Sequence, residues 1–560
     1  MKLRSFFIIL AISVFILLFG ASSSLYWILG QGPLKLLPGG VFREPITAVF
    51  IPKQAPFMVS LLVNPDRLES LAQYISFPQN RRRSHREFLS LEKQLVSTTG
   101  LDYQTQIQPW LGEEITLAVT SLDFDRNPDN GVQPGYLLAI ATKDRKLAKV
   151  FLQSSYSKNV ISETSDLIFE SYKGVNLIYQ RHRDNPVNIR LSATAILDNF
   201  VLFANDPKIL RDAINNVQVR TLNLKNSTNY QEALKTITEP RIGIVYTNFP
   251  ALSAWLGHLP IPEIPEITQT LTVAFSLKSK GLVAQTALIG GSEQGEEPPV
   301  LSKPVGALAY VPVDSILTAA GTNLNKLWSQ IETGLGNKSP LQQLLNSILV
   351  SVQEPLGLDF SEKVFPFIQG EFSLALVPSL DGGEPDVIFV AQKVPDVNFS
   401  EWVENFDKLA QEQGYSVGYL PLLNNTVTVW TKLNTATENK GNLTSLEARV
   451  SGVHTDVNDY VIFATSVEAI SQALSTPKIT LIHSRKLQQA IAAISPENDG
   501  YFYVDWSQGK KLLEQQLPIF KVIELSIQPL LNNLQSLTVS SKGKDNGIRR
   551  ATIFLNLGVH

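Results

Sequence analysis

The sequence predicts an α+β fold in which a ~250-residue domain occurs twice in tandem, each copy a mainly antiparallel sheet with helices packed on one face, behind one N-terminal transmembrane helix. Three observations carry this. The stretch Asp198 to Asp206 (DNFVLFAND) returns 260 positions later as Asn458 to Ser466 (NDYVIFATS). Neighbouring β-type runs are joined by short turns such as Tyr172-Lys-Gly174, which suits antiparallel pairing. Residues Phe6 to Leu29 carry no charge.

In chain order, Lys2 and Arg4 precede that uncharged run, which as a helix would reach ~36 Å. Tyr26 and Trp27 fall where an interfacial anchor belongs, and the leading positive charges hold the N-terminus in the cytoplasm. A cleaved signal peptide ending at Ala21-Ser22-Ser23 is the alternative, but apolar sequence resumes at Leu25 to Leu29. Either way the remainder is exported. The expected organisation is a cytoplasmic N-terminus (1–5), a transmembrane anchor (6–29), a linker (30–45), a first α+β repeat (46–289), an inter-repeat linker (290–304) and a second α+β repeat (305–560).

Within the copies, Ala48 to Pro52 matches Leu308 to Pro312, and Pro109 to Ala118 matches Pro366 to Ala375. Gly243 to Phe249 matches Gly500 to Trp506, and the closing hairpin aligns Gly281 with Gly547. First-copy strands are expected near 46–51, 57–63, 114–122, 136–142, 166–171, 175–180, 189–197, 200–204, 241–247, 270–278 and 282–289. Helices are expected near 65–76, 86–98, 144–154, 206–217, 229–237 and 249–257. The matched aromatics Trp110, Phe249, Phe367 and Trp506 are expected in the core.

Composition removes several chemistries. The chain has no cysteine, which excludes disulfides, thiolate nucleophiles, iron–sulfur clusters and cysteine zinc sites. A net charge of −3 and pI near 6.2 imply no general basic surface for nucleic acid. The histidines at 85, 182, 258, 454, 483 and 560 show no zinc-type spacing.

The remaining motifs are weighed by context. Gly414-Tyr-Ser-Val-Gly418 fits a nucleophile elbow, yet a helical stretch precedes Ser416 and an extended one follows, the reverse of what the elbow needs. Ser507-Gln-Gly-Lys510 and Ser155-Tyr-Ser-Lys158 fit Ser-x-x-Lys without its partner motifs, and Ser507 is expected to cap a helix. Asp123, Asp125, Asn127 and Asp129 cluster oxygen ligands and form a calcium candidate, but Pro128 and Pro134 stand where an EF-hand wants Gly and Glu. A plain turn uses the same residues. Arg81, Arg82, Arg83 and Arg86 form a basic run confined to the first copy, a solvated loop or a contact for anionic lipid or an acidic partner. The aligned carboxylates Glu114 and Glu371, and Asp102 and Asp359, invite acid–base chemistry. Retention in both copies favours one fold task performed twice.

The single span, two long repeats, the Ala-Tyr-Val-Pro opening within Leu308 to Pro312, the Gly-Leu-Asp turns at Gly100 and Gly357, and the strand entry Gly370-Glu371 together resemble a family of exported, single-span cyanobacterial proteins grouped as a domain of unknown function. The resemblance implies no activity, no cofactor and no catalytic residues. The expectation is therefore a non-enzymatic, membrane-anchored envelope protein, periplasmic or thylakoid-lumenal, that binds or scaffolds a protein partner at the junction of its repeats. The alternatives are a lipid or pigment carrier with an apolar cavity inside a repeat, and a serine hydrolase using Ser416 or Ser507.

Overall fold

The structure, a computed structural model, describes residues 39–64, 105–127, 132–162, 166–181, 192–252, 267–290, 301–328, 360–379, 385–437, 444–475, 480–510 and 534–557, with 106, 268, 279 and 327 excepted. The first half contains β1 (Phe57–Leu61), β2 (Leu111–Ser121), β3 (Gly135–Thr142), α1 (Arg145–Ser162), β4 (Asp166–Tyr172), β5 (Val175–Arg181), β6 (Ala193–Leu197) and β7 (Phe200–Ala204). It continues with α2 (Pro207–Gln218), α3 (Thr228–Thr236), β8 (Gly243–Asn248), β9 (Thr270–Lys278) and β10 (Gly281–Ile289). The second half contains β11 (Leu317–Thr322), α4 (Phe360–Lys363), β12 (Glu371–Val377), β13 (Asp386–Gln392), α5 (Phe399–Glu412), β14 (Ser416–Leu422), β15 (Asn425–Thr437) and β16 (Thr444–Val457). Then follow β17 (Tyr460–Ala464), α6 (Val467–Leu474), α7 (Arg485–Ala493), β18 (Gly500–Asp505), β19 (Ser536–Asp545) and β20 (Ile548–Asn556).

All described strand pairs are antiparallel, and their registers give one continuous order: β4-β5-β6-β7-β3-β2-β1-β8-β9-β10-β20-β19-β18-β11-β12-β13-β17-β16-β15-β14. The two halves have the same strand order, run in opposite directions from a seam between β10 and β20. Two-residue turns set several registers. Leu197 pairs with Phe200 and Val457 with Tyr460, so Asp198 (φ 49°) and Asn458 (φ 51°) hold the left-handed conformation that such hairpins demand. The Asn546-Gly547 turn, at φ 50° and 78°, does the same between β19 and β20.

After each of the first two hairpins the chain enters a capped helix. Asp206 accepts the Lys208 amide at 2.7 Å to open α2, and Ser466 accepts the Ala469 amide at 3.0 Å to open α6. The apolar stripes Ile209, Leu210, Ala213 and Ile214, and Ala469, Ile470 and Ala473, then pack on the sheet.

Helices cover both faces of the sheet, which corrects the expectation of one. Leu137 and Ala139 of β3 join the core under α2 and α3, while Ile140, with Val201 and Phe203 of β7, joins Ala148 and Leu152 of α1 on the opposite face. The second half repeats this: Ile388 and Val390 face α6 and α7, whereas Ala391 and Val461 pack with Phe399 and Trp402 of α5. Two-sided burial explains why β7 is apolar at every position.

A second correction concerns 46–51. Ile46–Val49 is a 3-10 turn, as is its counterpart Gly306–Tyr310, because carboxylates, the buried Glu114 and the half-buried Glu371, capture the leading amides before a strand partner does. Of the matched aromatics, Trp110 and Trp506 are buried and Phe249 is half-buried. Phe367 is 37% exposed; the 3-10 turn Phe365–Phe367 buries Phe365 instead and leaves Phe367 stacked on Trp402 at 5.9 Å. The expected helices 65–76 and 86–98 lie outside the described residues, and the helix from 249 is described to 252. Among the described residues no helix is long and apolar enough to cross a membrane; residues 6–29 are not among them.

Candidate functional site

The two halves meet where β10 and β20 pair along their whole length, from Gly281 opposite Asn556 to Ile289 opposite Ile548. Glycine is required at 281, since a Cβ there would collide with the Leu555 carbonyl. Thr286 Oγ1 donates to the Ala551 carbonyl at 3.2 Å and accepts the Ala551 amide at 3.0 Å, tying the strands through a side chain as well. Residues directly opposite in an antiparallel pair share a face. Val283 therefore lies beside Phe554, and Gln285 beside Thr552.

These four side chains floor a cavity of about 520 Å³, within the range of small-molecule sites. Gln489, Ala492 and Ala493 of α7, with Ile494, Ser495 and Pro496 after it, form one wall. Glu239, Lys278 and Lys280 line it from the first half, and Lys542 from the second. Lys542 stands in the bulge where the β19–β20 register shifts between Ser541 and Lys544, which turns it out of the ladder.

The lining is cationic. Lys278 pairs with Glu239 at 2.8 Å, whereas neither Lys280 nor the half-buried Lys542 has a carboxylate partner among the described residues. Burial, helped by the nearby Arg550, holds the Lys542 ammonium below the ordinary lysine range, and Glu239 opposes that shift. Besides Glu239 Oε2, which faces the Lys278 ammonium as an ion pair, two polar atoms in the lining are buried without a hydrogen-bond partner: Thr552 Oγ1, on a residue only 3% exposed, and Gln285 Oε1. Buried polar atoms ordinarily find partners, so these are open valences at the cavity.

Among the described residues, those singled out from their sequence motifs do not assemble into a second site. Arg81, Arg82, Arg83, Arg86 and Asp129 lie outside the described residues. Asp123 and Asp125 follow β2, where Asp123 accepts the Gln133 amide at 3.2 Å and Asp125 the Asn127 amide at 3.1 Å. Burial raises the Asp123 carboxyl above its ordinary value, its amide bonds oppose this, and Asp125 adds to it. Lys208 Nζ donates to the Phe124 carbonyl at 2.6 Å, placing a cation in the same loop. Among the described residues no three or more metal-ligating side chains gather.

Ser416 is exposed at the start of β14, after a helix and the C-terminal Gly414 at φ 84°. Ser507 is not the helix cap expected of it. Asp505 caps instead, accepting the Ser507 amide at 3.0 Å and hydroxyl at 2.5 Å while also holding Lys486 Nζ at 2.6 Å. Ser155 and Lys158 lie within α1.

Two carboxylate arrangements are invisible in the sequence. Glu114 accepts the amides of Ile46 (3.1 Å) and Thr47 (2.8 Å) and the Thr47 hydroxyl (2.6 Å). Its counterpart Glu371 accepts the Gly306 amide at 2.6 Å and the Tyr460 phenol at 3.0 Å. Both anchor a 3-10 turn to the sheet. Separately, Asp407 of α5 accepts from Trp430 Nε1 at 2.6 Å and meets His454 Nε2 at 2.9 Å among the rings of Trp402, Phe406 and Phe463. Among the described residues no hydroxyl bonds the other His454 nitrogen.

The chain belongs to the family described as Protein of unknown function (DUF3352), whose family model matches residues 10–557. No curated protein and no solved structure matches it.

Proposed function

We propose that this family member is a non-enzymatic, membrane-anchored envelope protein, periplasmic or thylakoid-lumenal, that binds or scaffolds a partner at the junction of two duplicated halves. The observation that carries the reading is the seam cavity, whose floor and walls come from both halves. Duplication accounts for the shared strand order, the matched carboxylate anchors and the matched hairpins. It also accounts for the seam, since a duplicated module with a free edge strand completes its sheet by pairing with its own copy. The uncharged run from Phe6 to Leu29 supports the anchor, and the positive residues before it support export.

A hydrolase reading has little to rest on, with Ser507 committed to Asp505 and Ser416 solvent-facing on an end strand. Two experiments test the proposal. Alkaline carbonate should leave the full-length protein in the membrane pellet; release with residues 1–23 missing by mass spectrometry would replace the anchor with a cleaved signal. Capture from mild-detergent membranes should retain a stoichiometric protein partner, lost when Ala492→Trp obstructs the cavity rim. Labelling by an active-site serine probe, abolished by Ser416→Ala or Ser507→Ala, would overturn the non-enzymatic reading.

A further inference from the structure

We infer that the seam cavity is a binding site for a small amphiphilic oxyanion, a carboxylate or phosphate head joined to a short apolar body. This deepens the binding proposal by naming a ligand class for its site.

The two ends of the ligand follow from the two kinds of lining. Lys280 and Lys542 present ammonium groups without carboxylate partners among the described residues, and Lys542 is half-buried, where an uncompensated charge is costly. An oxyanion relieves that cost through charge-assisted hydrogen bonds. Thr552 Oγ1 adds a donor to the lining, buried and unpartnered. Val283, Phe554, Ile494 and Ala493 supply an apolar surface that a bare inorganic anion leaves unused. The carboxylate in the lining, Glu239, pairs with Lys278 and also attracts Lys542, so the lining sets three lysines against one carboxylate and keeps a positive excess.

The site needs both halves. Lys280, Gln285 and Val283 come from β10 and the turn before it, while Lys542, Thr552 and Phe554 come from β19 and β20. A single copy contains half of the floor, which gives the seam a function beyond sheet completion.

Calorimetric titration of octanoate into the full-length protein in lipid nanodiscs, with empty nanodiscs subtracted, tests this. One saturable site per chain is expected. Octylammonium, with the same tail and the opposite charge, should bind at least tenfold more weakly. Lys542→Gln should weaken octanoate about tenfold, as loss of one charge-assisted contact implies. Ala492→Trp, at an exposed rim position, should abolish the site while leaving the thermal transition in place, and Lys149→Gln on α1 should change nothing.

Absence of a saturable octanoate site, or equal binding of octylammonium, overturns the inference. Mass spectrometry of organic and aqueous extracts of the purified protein distinguishes a membrane lipid from a soluble metabolite as the natural source; either one, retained by the wild type and missing from Ala492→Trp, supports the site. Partner capture lost in Ala492→Trp without octanoate binding would end this inference and leave the scaffold proposal standing. Octanoate binding with no captured partner would do the reverse.

Discussion

Replacing Glu114 by alanine separates a structural carboxylate from a catalytic one. The side chain is 2% exposed and receives two backbone amides and one hydroxyl. In Glu114→Ala the Thr47 hydroxyl keeps a partner, because it also bonds Thr116. The amides of Ile46 and Thr47 do not. Two orphaned donors at about 1–3 kcal/mol each set a loss of roughly 2–6 kcal/mol, and partial access of water to Ile46 favours the lower half of that range. Glu371→Ala orphans one amide and one phenol at a less buried site, so its loss should be smaller, roughly 1–3 kcal/mol.

Because a chain of two halves need not unfold in one step, urea unfolding should be paired with hydrogen exchange read peptide by peptide. The expected result is lost protection over 41–63 for Glu114→Ala and over 301–321 for Glu371→Ala, in that order of severity. Wild-type urea midpoints with unchanged exchange around Thr47 would refute the assignment, and would return the aligned carboxylates to the acid–base reading.

Two further perturbations address the second half and the seam. Burial pushes the Asp407 carboxyl up, but hydrogen bonds from His454 and Trp430 outweigh it and hold the group below the ordinary aspartate range. A depressed folded-state pKa contributes stability above the unfolded value of about 3.9 that is lost as pH falls through the folded value. Asp407→Asn should therefore cost about 1–3 kcal/mol at pH 7 and converge on the wild type in acid, as thermal melts across pH 2–7 would register; a pH-independent difference contradicts this. Gly281→Ala forces β10 away from the Leu555 carbonyl, an overpacking cost of about 1–3 kcal/mol placed on the β10–β20 seam. It should split calorimetric unfolding into two transitions; a single unshifted transition would show that the seam tolerates the methyl group.

The features legible in the sequence are those that chemistry fixes locally. Asp198-Asn199 and Asn458-Asp459 tolerate left-handed backbone, and Asp206 and Ser466 hold a free amide, so hairpin and helix start are readable in both halves. What stays hidden depends on distant partners. Residues 46–51 have the composition of a strand, yet a carboxylate some 67 positions away takes the Thr47 amide and leaves a 3-10 turn. Phe367 aligns with Trp110, but Pro366 lies within a 3-10 turn that buries Phe365 in its place. Patterning alone suggests one-sided burial, yet the central strands are apolar on both faces, which α1 and α5 explain only once they are seen opposite the other helices.

The site is hidden for a related reason. Its lining is drawn from 239, 278–285, 489–496 and 542–554, segments that periodicity treats as ordinary helix ends and hairpins. No motif links Lys280 to Lys542. They share a cavity because β10 pairs with β20, and that pairing joins the last hairpin strand of each half at the same edge of its sheet. The sequence match of Gly281 with Gly547 points to a closing hairpin in each half, though the registers put the two glycines at different positions in it. Glycine at 547 serves a turn with φ of 78°, whereas glycine at 281 serves a close strand approach. Gly281 is the first paired residue of β10, opposite Lys278, whereas Gly547 lies inside the turn before β20, so the two glycines stand one position apart in their hairpins. Lys542 has the bulge and Lys280 the turn, and the cationic lining on which the candidate ligand rests is assembled from that difference.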